Sequence, residues 1–208
     1  MLNIYISAFV TLFVIVDPLS LLPLFLSLTQ NMTKKETNSA ITLACCVSAI
    51  LLLVFSIGGE IILKTLGISR AAFQAAGGFL LLIAAIEMVI AQRPQMSSTT
   101  AKENEANEGQ KDIAVFPLAI PLIAGPGSLI TVVLLAGQEH LPSIFHHIIL
   151  AGIIVTVIAI TYLFLRGAPY IQKILGMTAS NVLTRVFGII LAALAAQFIF
   201  NGIKQAFF

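Results

Sequence analysis

The sequence predicts an all-α membrane protein of six transmembrane helices, built as two inverted three-helix repeats in which spans one and four are discontinuous. The 208-residue chain is 59% hydrophobic and only 10% charged, whereas soluble domains carry about 25% charged residues. Its apolar residues fall into long separate runs, and two of these runs contain proline clusters at corresponding places in the two halves. Lipid must therefore be the solvent for most of the chain.

Each apolar run is long enough to span a membrane, since about 20 helical residues cross a hydrocarbon core of ~30 Å. The predicted spans are Ile4–Leu28, about Ala40–Leu63, Ala71–Ala91, Ile113–Ala136, about His147–Leu165 and about Leu183–Gln205. The polar stretch after span three is typical of a flexible linker. The predicted organisation is a first three-helix repeat at residues 1–91, a cytoplasmic linker at 92–112 and a second, inverted three-helix repeat at 113–208.

The distribution of Lys and Arg predicts the orientation, because cytoplasmic loops carry an excess of both. One side of the predicted bundle holds Lys34, Lys35, Arg93, Lys102, Lys111, Arg166, Lys173 and Arg185. The other side holds Lys64, Arg70 and Lys204. We expect a multi-pass protein of the cell inner (plasma) membrane with both termini on the outer side.

The two halves resemble each other. The segment Asp17–Leu21 in span one corresponds to Gly125–Leu129 in span four, and Gly78–Glu87 in span three corresponds to Gly188–Gln197 in span six. An odd number of spans per repeat forces the second copy to insert upside down. Inverted repeats of this kind are common in secondary transporters.

Span one is predicted to break near its middle. Proline removes a backbone donor and clashes with the preceding turn, so Pro18 and Pro23 should interrupt the helix. Asp17 lies ~20 Å along the span from Ile4 at 1.5 Å per residue, close to the membrane midplane. A carboxylate at that depth is costly unless it is paired, hydrated or protonated.

Span four carries the corresponding interruption. The stretch Phe116–Ser128 contains Pro117, Pro121, Gly125, Pro126 and Gly127 and cannot form a regular helix, although its flanks are apolar. Paired interruptions in the two halves are the best indication from sequence of a binding site at the membrane midplane.

Helix ends at such breaks can bind a zwitterion. Amides after Pro18 and Pro126, helped by nearby hydroxyls, could bind a carboxylate, and Asp17 could hold an ammonium group, a proton or a cation. The predicted substrate-binding residues are Asp17, Pro18, Ser20, Pro23, Pro121, Gly125, Pro126, Gly127 and Ser128. In the alternative interpretation the prolines only kink the helices and Asp17 caps the second half of span one; the two interpretations are compatible.

Other polar residues in or near the spans have weaker signals. The candidates for coupling or gating are Asp17, Glu87, Gln197 and Arg185. Glu87 could serve a proton relay or an interhelical hydrogen bond, and Arg185 a gate or an anchor at the membrane surface. Glu60 and the histidines His140, His146 and His147 are interpreted as interfacial residues.

These motifs resemble those of the MarC family, also called the small neutral amino acid transporter family. The resemblance rests on Asp-Pro-x-x-x-x-Pro in span one, Gly-Gly in span three, Pro-Leu-Ala-Ile-Pro-Leu-Ile-Ala-Gly-Pro-Gly in span four and Asn-Val-Leu-Thr-Arg-Val-x-Gly in span six. It implies a six-span inner-membrane protein with glycine- and alanine-like solutes. One departure is Ser20, where the family more often has glycine, so the size of the solute is open.

The sequence thus favours a secondary transporter for small neutral amino acids, coupled to H⁺ or Na⁺. An exporter of another small metabolite or drug, or a non-transporting membrane scaffold, remains the alternative, and the oligomeric state is open. No His-based metal motif, nucleophile–base pair or P-loop occurs in the sequence. We therefore expect no enzymatic activity, no cofactor, no metal and no nucleic-acid partner.

Overall fold

The computed structural model describes residues 2–90, 114–137 and 143–207, and within these ranges all regular secondary structure is helical. The first half contains α1 (Leu2–Val16), α2 (Pro18–Leu28), α3 (Lys34–Thr65) and α4 (Arg70–Ile90). The second half contains a π-helix (Ala114–Ile123), α5 (Pro126–Ala136), α6 (Ser143–Arg166) and α7 (Ala168–Phe207). The linker predicted at 92–112 and His140 lie outside the described residues.

Both ends of α3 follow local sequence signals. At its start, Thr33 and Glu36 form a capping box, in which the Thr33 amide donates to the Glu36 carboxylate at 2.7 Å and the Glu36 amide to the Thr33 hydroxyl at 3.4 Å. At its end, Gly67 takes a left-handed conformation with φ of 68°. The capping box starts α3 at Lys34, before the predicted span at about Ala40.

Among the described residues, five segments are long and apolar enough to cross a membrane. They are Asn3–Leu28, Lys34–Thr65, Arg70–Ile90, Ile144–Arg166 and Thr178–Phe207. The first includes the break between α1 and α2, and the last is the part of α7 beyond Gly176, where the backbone is non-helical with φ of 67°. The predicted span four is represented by the π-helix and the short apolar helix α5.

Helices α4 and α7 run antiparallel in close backbone contact. A Cβ atom placed on Gly78 would lie 2.8 Å from the Ala195 carbonyl oxygen, and one on Gly202 would lie 2.8 Å from the Ala71 carbonyl oxygen. Small residues permit such close approach in membranes, where packing replaces the hydrophobic effect as the force between helices. Gly78 therefore lets α4 and α7 approach each other closely.

The buried apolar side chains form two clusters that meet along α1. The larger cluster includes Leu12, Phe25 and Ile154 and joins α1, α2 and α6 to α3, α5 and the π-helix. The smaller cluster includes Val14 and Leu81 and joins α1 to α4 and α7. Helix α1 is therefore packed on both sides, and its C-terminal end lies inside the bundle.

Replacing Gly78 by alanine should destabilise the protein. The added methyl group would collide with backbone atoms of α7 that cannot move independently, and overpacking of this kind costs about 1–3 kcal/mol. Gly152→Ala is the matched control, because a Cβ at Gly152 meets nothing within 4 Å. Thermal unfolding in detergent, followed by circular dichroism, should show a lower midpoint for Gly78→Ala only. Equal midpoints would contradict the close α4–α7 contact.

Candidate solute site at the two helix breaks

The first break is centred on Asp17. Its amide still donates to the Phe13 carbonyl at 2.9 Å, which completes α1, but its backbone is left-handed with φ of 45°. Aspartate tolerates this conformation better than most residues because its short side chain can bond locally. Here Asp17 Oδ1 accepts a hydrogen bond from the Ser20 amide at 3.3 Å and caps α2. The carboxylate is buried, with a relative exposure of 5%.

Proline has different effects at the two predicted positions in span one. Pro18 occupies the first turn of α2, where a missing amide hydrogen is not needed. Pro23 lies inside α2, and the helix continues through it, so the expected break at this residue is absent. The interruption of span one is therefore confined to Asp17 and Pro18, and the Pro23 side chain is exposed.

Ser20 connects the first break to α7. Its buried hydroxyl donates to Thr184 Oγ1 at 3.0 Å. Thr184 lies in the Asn181–Gly188 segment at the start of span six. Nothing in that segment predicts a contact with Ser20, which lies 164 positions earlier in the chain. Because of this bond, a movement of α7 would displace the first turn of α2 or break the bond.

The second break separates the π-helix from α5. The Ala124 amide bonds to the Ala119 carbonyl at 2.9 Å in the π pattern, and Gly125 then takes an extended conformation before Pro126 starts α5. The Ile120–Pro121 peptide bond is cis. Helix π-turns are rare and occur frequently at functional sites.

Buried hydroxyl groups stabilise the main chain at the second break. Ser128, which is 2% exposed, directs its hydroxyl to the carbonyls of Gly125 at 2.9 Å and Ile123 at 3.1 Å. Ser48 of α3 lies 3.4 Å from the Ala119 carbonyl. The predicted position of Ser128 at the break is observed, with its hydroxyl directed to the protein's own carbonyls, whereas Ser48 was not predicted from the sequence.

The two breaks lie beside each other. A Cβ atom on Gly127, in the first turn of α5, would lie 3.2 Å from Cγ2 of Ile15 and 2.5 Å from Cδ2 of Leu81. Ile15 is two residues before Asp17, so the start of α5 packs against the end of α1. The structure therefore brings the interruptions of the two halves together within the bundle, and α4 borders them.

The remaining candidates for coupling or gating lie on α4 and α7. Glu87 on α4 and Arg185 and Gln197 on α7 are all exposed. Gln197 donates to Asn201 within α7 at 2.8 Å. Arg185 directly follows Thr184, which bonds to Ser20 at the first break, and the roles of all three residues stay predictions.

A polar group at the far end of α5 was not predicted as a site. His146 is buried, and its Nε2 lies 2.8 Å from the Leu135 carbonyl, while its Nδ1 lies 3.4 Å from the Tyr5 hydroxyl. The His146 ring is covered by α1 and α5, and its expected depth at the membrane interface stays a prediction. A histidine that follows the C-terminal end of an apolar helix is the sequence signal for this contact. The last carbonyls of a helix need hydrogen-bond partners from outside it.

The helices and the buried polar residues at their breaks define a multi-pass α-helical membrane protein. The sequence profile described as "MarC family integral membrane protein" matches residues 2–207. The chain belongs to the MarC family, and the resemblance seen in its motifs is confirmed.

Relatives from distant organisms match along nearly their whole length. The UPF0056 membrane protein MJ1677 of Methanocaldococcus jannaschii is 38% identical over 205 residues, which cover 99% of this chain and 98% of the relative. The UPF0056 membrane protein YvbG of Bacillus subtilis is 33% identical over 207 residues, covering 100% and 97%. The UPF0056 membrane protein YhcE of Escherichia coli is 32% identical over 204 residues, covering 98% and 94%. No solved structure matches the chain significantly.

Removal of the Ser128 hydroxyl should destabilise the second break. Ser128→Ala would remove the hydroxyl that the Gly125 and Ile123 carbonyls share. The Gly125 carbonyl keeps its bond from the Leu129 amide, and leaving the buried Ile123 carbonyl without this donor costs about 1–3 kcal/mol. Ser27→Ala is the control, because the Ser27 hydroxyl also donates to a carbonyl, that of Leu24, but on an exposed face. Thermal unfolding in detergent should separate the two variants, and a Ser128→Ala midpoint equal to that of Ser27→Ala would show that the hydroxyl is dispensable.

Proposed function

We propose that this chain is a secondary transporter of small neutral amino acids in the cell inner membrane, coupled to H⁺ or Na⁺. The observation that carries the proposal is the contact between the two breaks, with the start of α5 packed against Ile15 beside the buried Asp17. Irregular backbone at membrane depth is tolerated only where protein covers it or a cavity uses it. Two such segments at one place are the arrangement that transporters use to bind solutes.

The charges at the two breaks are complementary to a zwitterion. Asp17 already compensates the positive end of α2 by capping it. The N-cap residue of α5 is Gly125, which has no side chain that could cap the helix. The first-turn amides of α5, at Gly127 and Ser128, and its positive dipole end are therefore suited to the carboxylate of an amino acid. The ammonium group would then face Asp17. The close packing around Gly127 favours a solute with little or no side chain, such as glycine or alanine.

The six-span, inverted-repeat plan is part of this proposal and is supported by the pattern of helix packing. Helix α1 packs on α6 as the π-helix packs on α3, and α2 packs on α7 as α5 packs on α4. When the two halves are exchanged, α3 takes the place of α6 and α4 takes the place of α7. The contacts α3–α6 and α4–α7 are therefore unchanged by the exchange. In this plan the π-helix and α5 together form the fourth crossing.

Contacts at the chain ends support an even number of crossings. Tyr5 near the N-terminus contacts His146, and Gly202 near the C-terminus lies against Ala71 at the start of α4. Arg70 in turn contacts Gly137 at the end of α5. We infer that both termini share one face of the membrane with these segments, and the excess of Lys and Arg on the opposite side assigns that face to the outside.

Transport would proceed by movement of one repeat against the other around the breaks, with Asp17 as the coupling group. A proton or Na⁺ bound at Asp17 would compensate the cost of its buried charge and would be released with the solute. Glu87, Gln197 and Arg185 are exposed and have no assigned step in this mechanism. The protein needs no cofactor or catalytic residue for it.

Asp17→Asn is expected to abolish gradient-driven accumulation while the protein still inserts. Asparagine tolerates the left-handed conformation and its amide oxygen can still accept from the Ser20 amide, so the cap survives and the charge does not. Uptake of radiolabelled glycine and alanine into proteoliposomes, with an imposed H⁺ or Na⁺ gradient, measures the effect. Ser27→Ala, on the exposed face of α2, is the control.

The possible results separate the candidate functions. Wild-type accumulation by Asp17→Asn would contradict the coupling role of the carboxylate. Flux of a different solute and none of glycine or alanine would favour an exporter of another metabolite or drug. Absence of flux for every solute would favour a scaffold.

A further inference from the structure

The short helix α5 is held at its far end by groups from two other helices. The Gly137 carbonyl, just beyond the last turn, accepts a hydrogen bond from Arg70 Nη1 at 2.6 Å, and the Leu135 carbonyl contacts His146 as described above. The last carbonyls of a helix lack intrahelical donors and carry partial negative charge. A guanidinium group at this position therefore satisfies both the hydrogen bond and the charge of the α5 terminus.

Arg70 is itself positioned by α3. Its second guanidinium nitrogen bonds to the Glu60 carboxylate, and Glu60 also pairs with Lys64 at 3.1 Å. We use the name Arg70 gate for Glu60, Arg70 and the Gly137 carbonyl. These three groups connect the end of α3, the start of α4 and the end of α5 at one face of the bundle.

Glycine at position 137 makes this contact sterically possible. A Cβ atom there would lie 3.1 Å from Cζ and 3.2 Å from Nε of Arg70, closer than a guanidinium group normally approaches carbon. A larger residue would require the Arg70 guanidinium group to shift by a few tenths of an ångström. The contact thus depends on the residue types at both of its ends.

The same helix pair that Arg70 joins also borders the helix breaks. Along the α4–α5 interface, Arg70 meets Gly137, Gly77 lies against Ile130, and Leu81 lies against Gly127. The interface therefore runs from the Arg70 gate at the membrane face to the first turn of α5 at the second break. Separation of α5 from α4 at the gate would uncover the site from that face.

The strength of the Arg70 gate suits a contact that opens and closes. The Arg70 side chain is 45% exposed and that of Glu60 31% exposed, and ion pairs with this much exposure add little net stability. A strong buried ion pair would hold α5 in one position. A weak contact at the end of a short helix can be broken once in each transport cycle.

We propose that the Arg70 gate closes the solute path between the breaks and the membrane face at which α5 ends. Arg70 and Glu60 are positioning residues in this account, since they act through α5 and do not touch the solute. The proposal rests on the proposed transport function, but its test does not require flux.

The test measures how readily a buried cysteine reacts from one face. In a chain whose native Cys45 and Cys46 are replaced by alanine, Ser128→Cys places a thiol in the first turn of α5, where the native side chain is 2% exposed. A membrane-impermeant methanethiosulfonate reagent is added to sealed vesicles of known orientation, from the face at which α5 ends. We expect Arg70→Ala to raise the rate of modification about fivefold, a population shift equivalent to ~1 kcal/mol.

Two further variants separate the gate from general loss of structure. Gly137→Ala keeps every charge but displaces the guanidinium group, and it should raise the rate in the same direction. Lys64→Ala removes a charge paired with Glu60 without touching α5, and it should leave the rate unchanged. If Arg70→Ala cannot be recovered in folded form, Gly137→Ala and Glu60→Gln decide the question.

Unchanged rates in both Arg70→Ala and Gly137→Ala would overturn the proposal, as would an equal increase in Lys64→Ala. Flux is measured in a chain that keeps Ser128, because this residue lies at the proposed site. A raised modification rate with no flux of any solute in that chain would sustain the gate and refute the transport function. Conversely, normal glycine or alanine flux with unchanged modification rates would refute the gate alone.

Discussion

The structure depends on one constraint, which is that every main-chain polar group inside the membrane needs a partner from the protein. A continuous helix meets this requirement by itself, but a broken helix does not. This chain breaks two helices inside its bundle and then supplies the missing partners from other residues. Asp17 caps α2 and Ser128 bonds back to the carbonyls before α5. Ser48 of α3 adds a longer contact to the Ala119 carbonyl, which already accepts from the Ala124 amide. Leaving such groups unpaired would cost several kcal/mol each.

Tight packing between other helices offsets the energetic cost of the breaks. The glycine contacts between α4 and α7 bring backbones together along most of their length. Such an interface needs no polar groups. The polar contacts are concentrated instead at the breaks and at the two ends of α5. An apolar interface beside a polar centre is compatible with the proposed movement of one repeat against the other.

Local features of the structure could be predicted from the sequence, because they depend on residues close together in the chain. The apolar runs, the break at Asp17 and Pro18, and the irregular segment before Pro126 all follow from proline chemistry and span length. Pro23 shows the limit of this reasoning, since tertiary packing around α2 preserves a helix that its proline alone would interrupt. The π-helix was likewise not predicted, although a regular helix was excluded.

Contacts between distant residues could not be predicted in the same way. Thr184 reaches Ser20, Arg70 reaches Gly137 and His146 reaches Leu135 because of how the helices pack, and no local pattern encodes those pairs. The exposure of Glu87 is a similar case. Its position deep in an apolar run suggests a side chain inside the bundle, and only the packing of α4 shows that the side chain is exposed. The repeat pattern placed the breaks at equivalent positions, but only the fold brought them side by side.

The central claim is that the two breaks form one site, and disulfide cross-linking in native membranes tests it most directly. In a chain without native cysteines, Ile15→Cys and Gly127→Cys would bring together two thiols, because a Cβ on Gly127 lies 3.2 Å from the Ile15 side chain. A pair at Gly59→Cys and Val133→Cys, where a Cβ placed on Gly59 would lie 3.1 Å from Cβ of Val133, serves as the positive control away from the breaks. The account predicts rapid oxidation of both pairs. Oxidation of the control pair alone would place the two breaks apart and contradict the shared site.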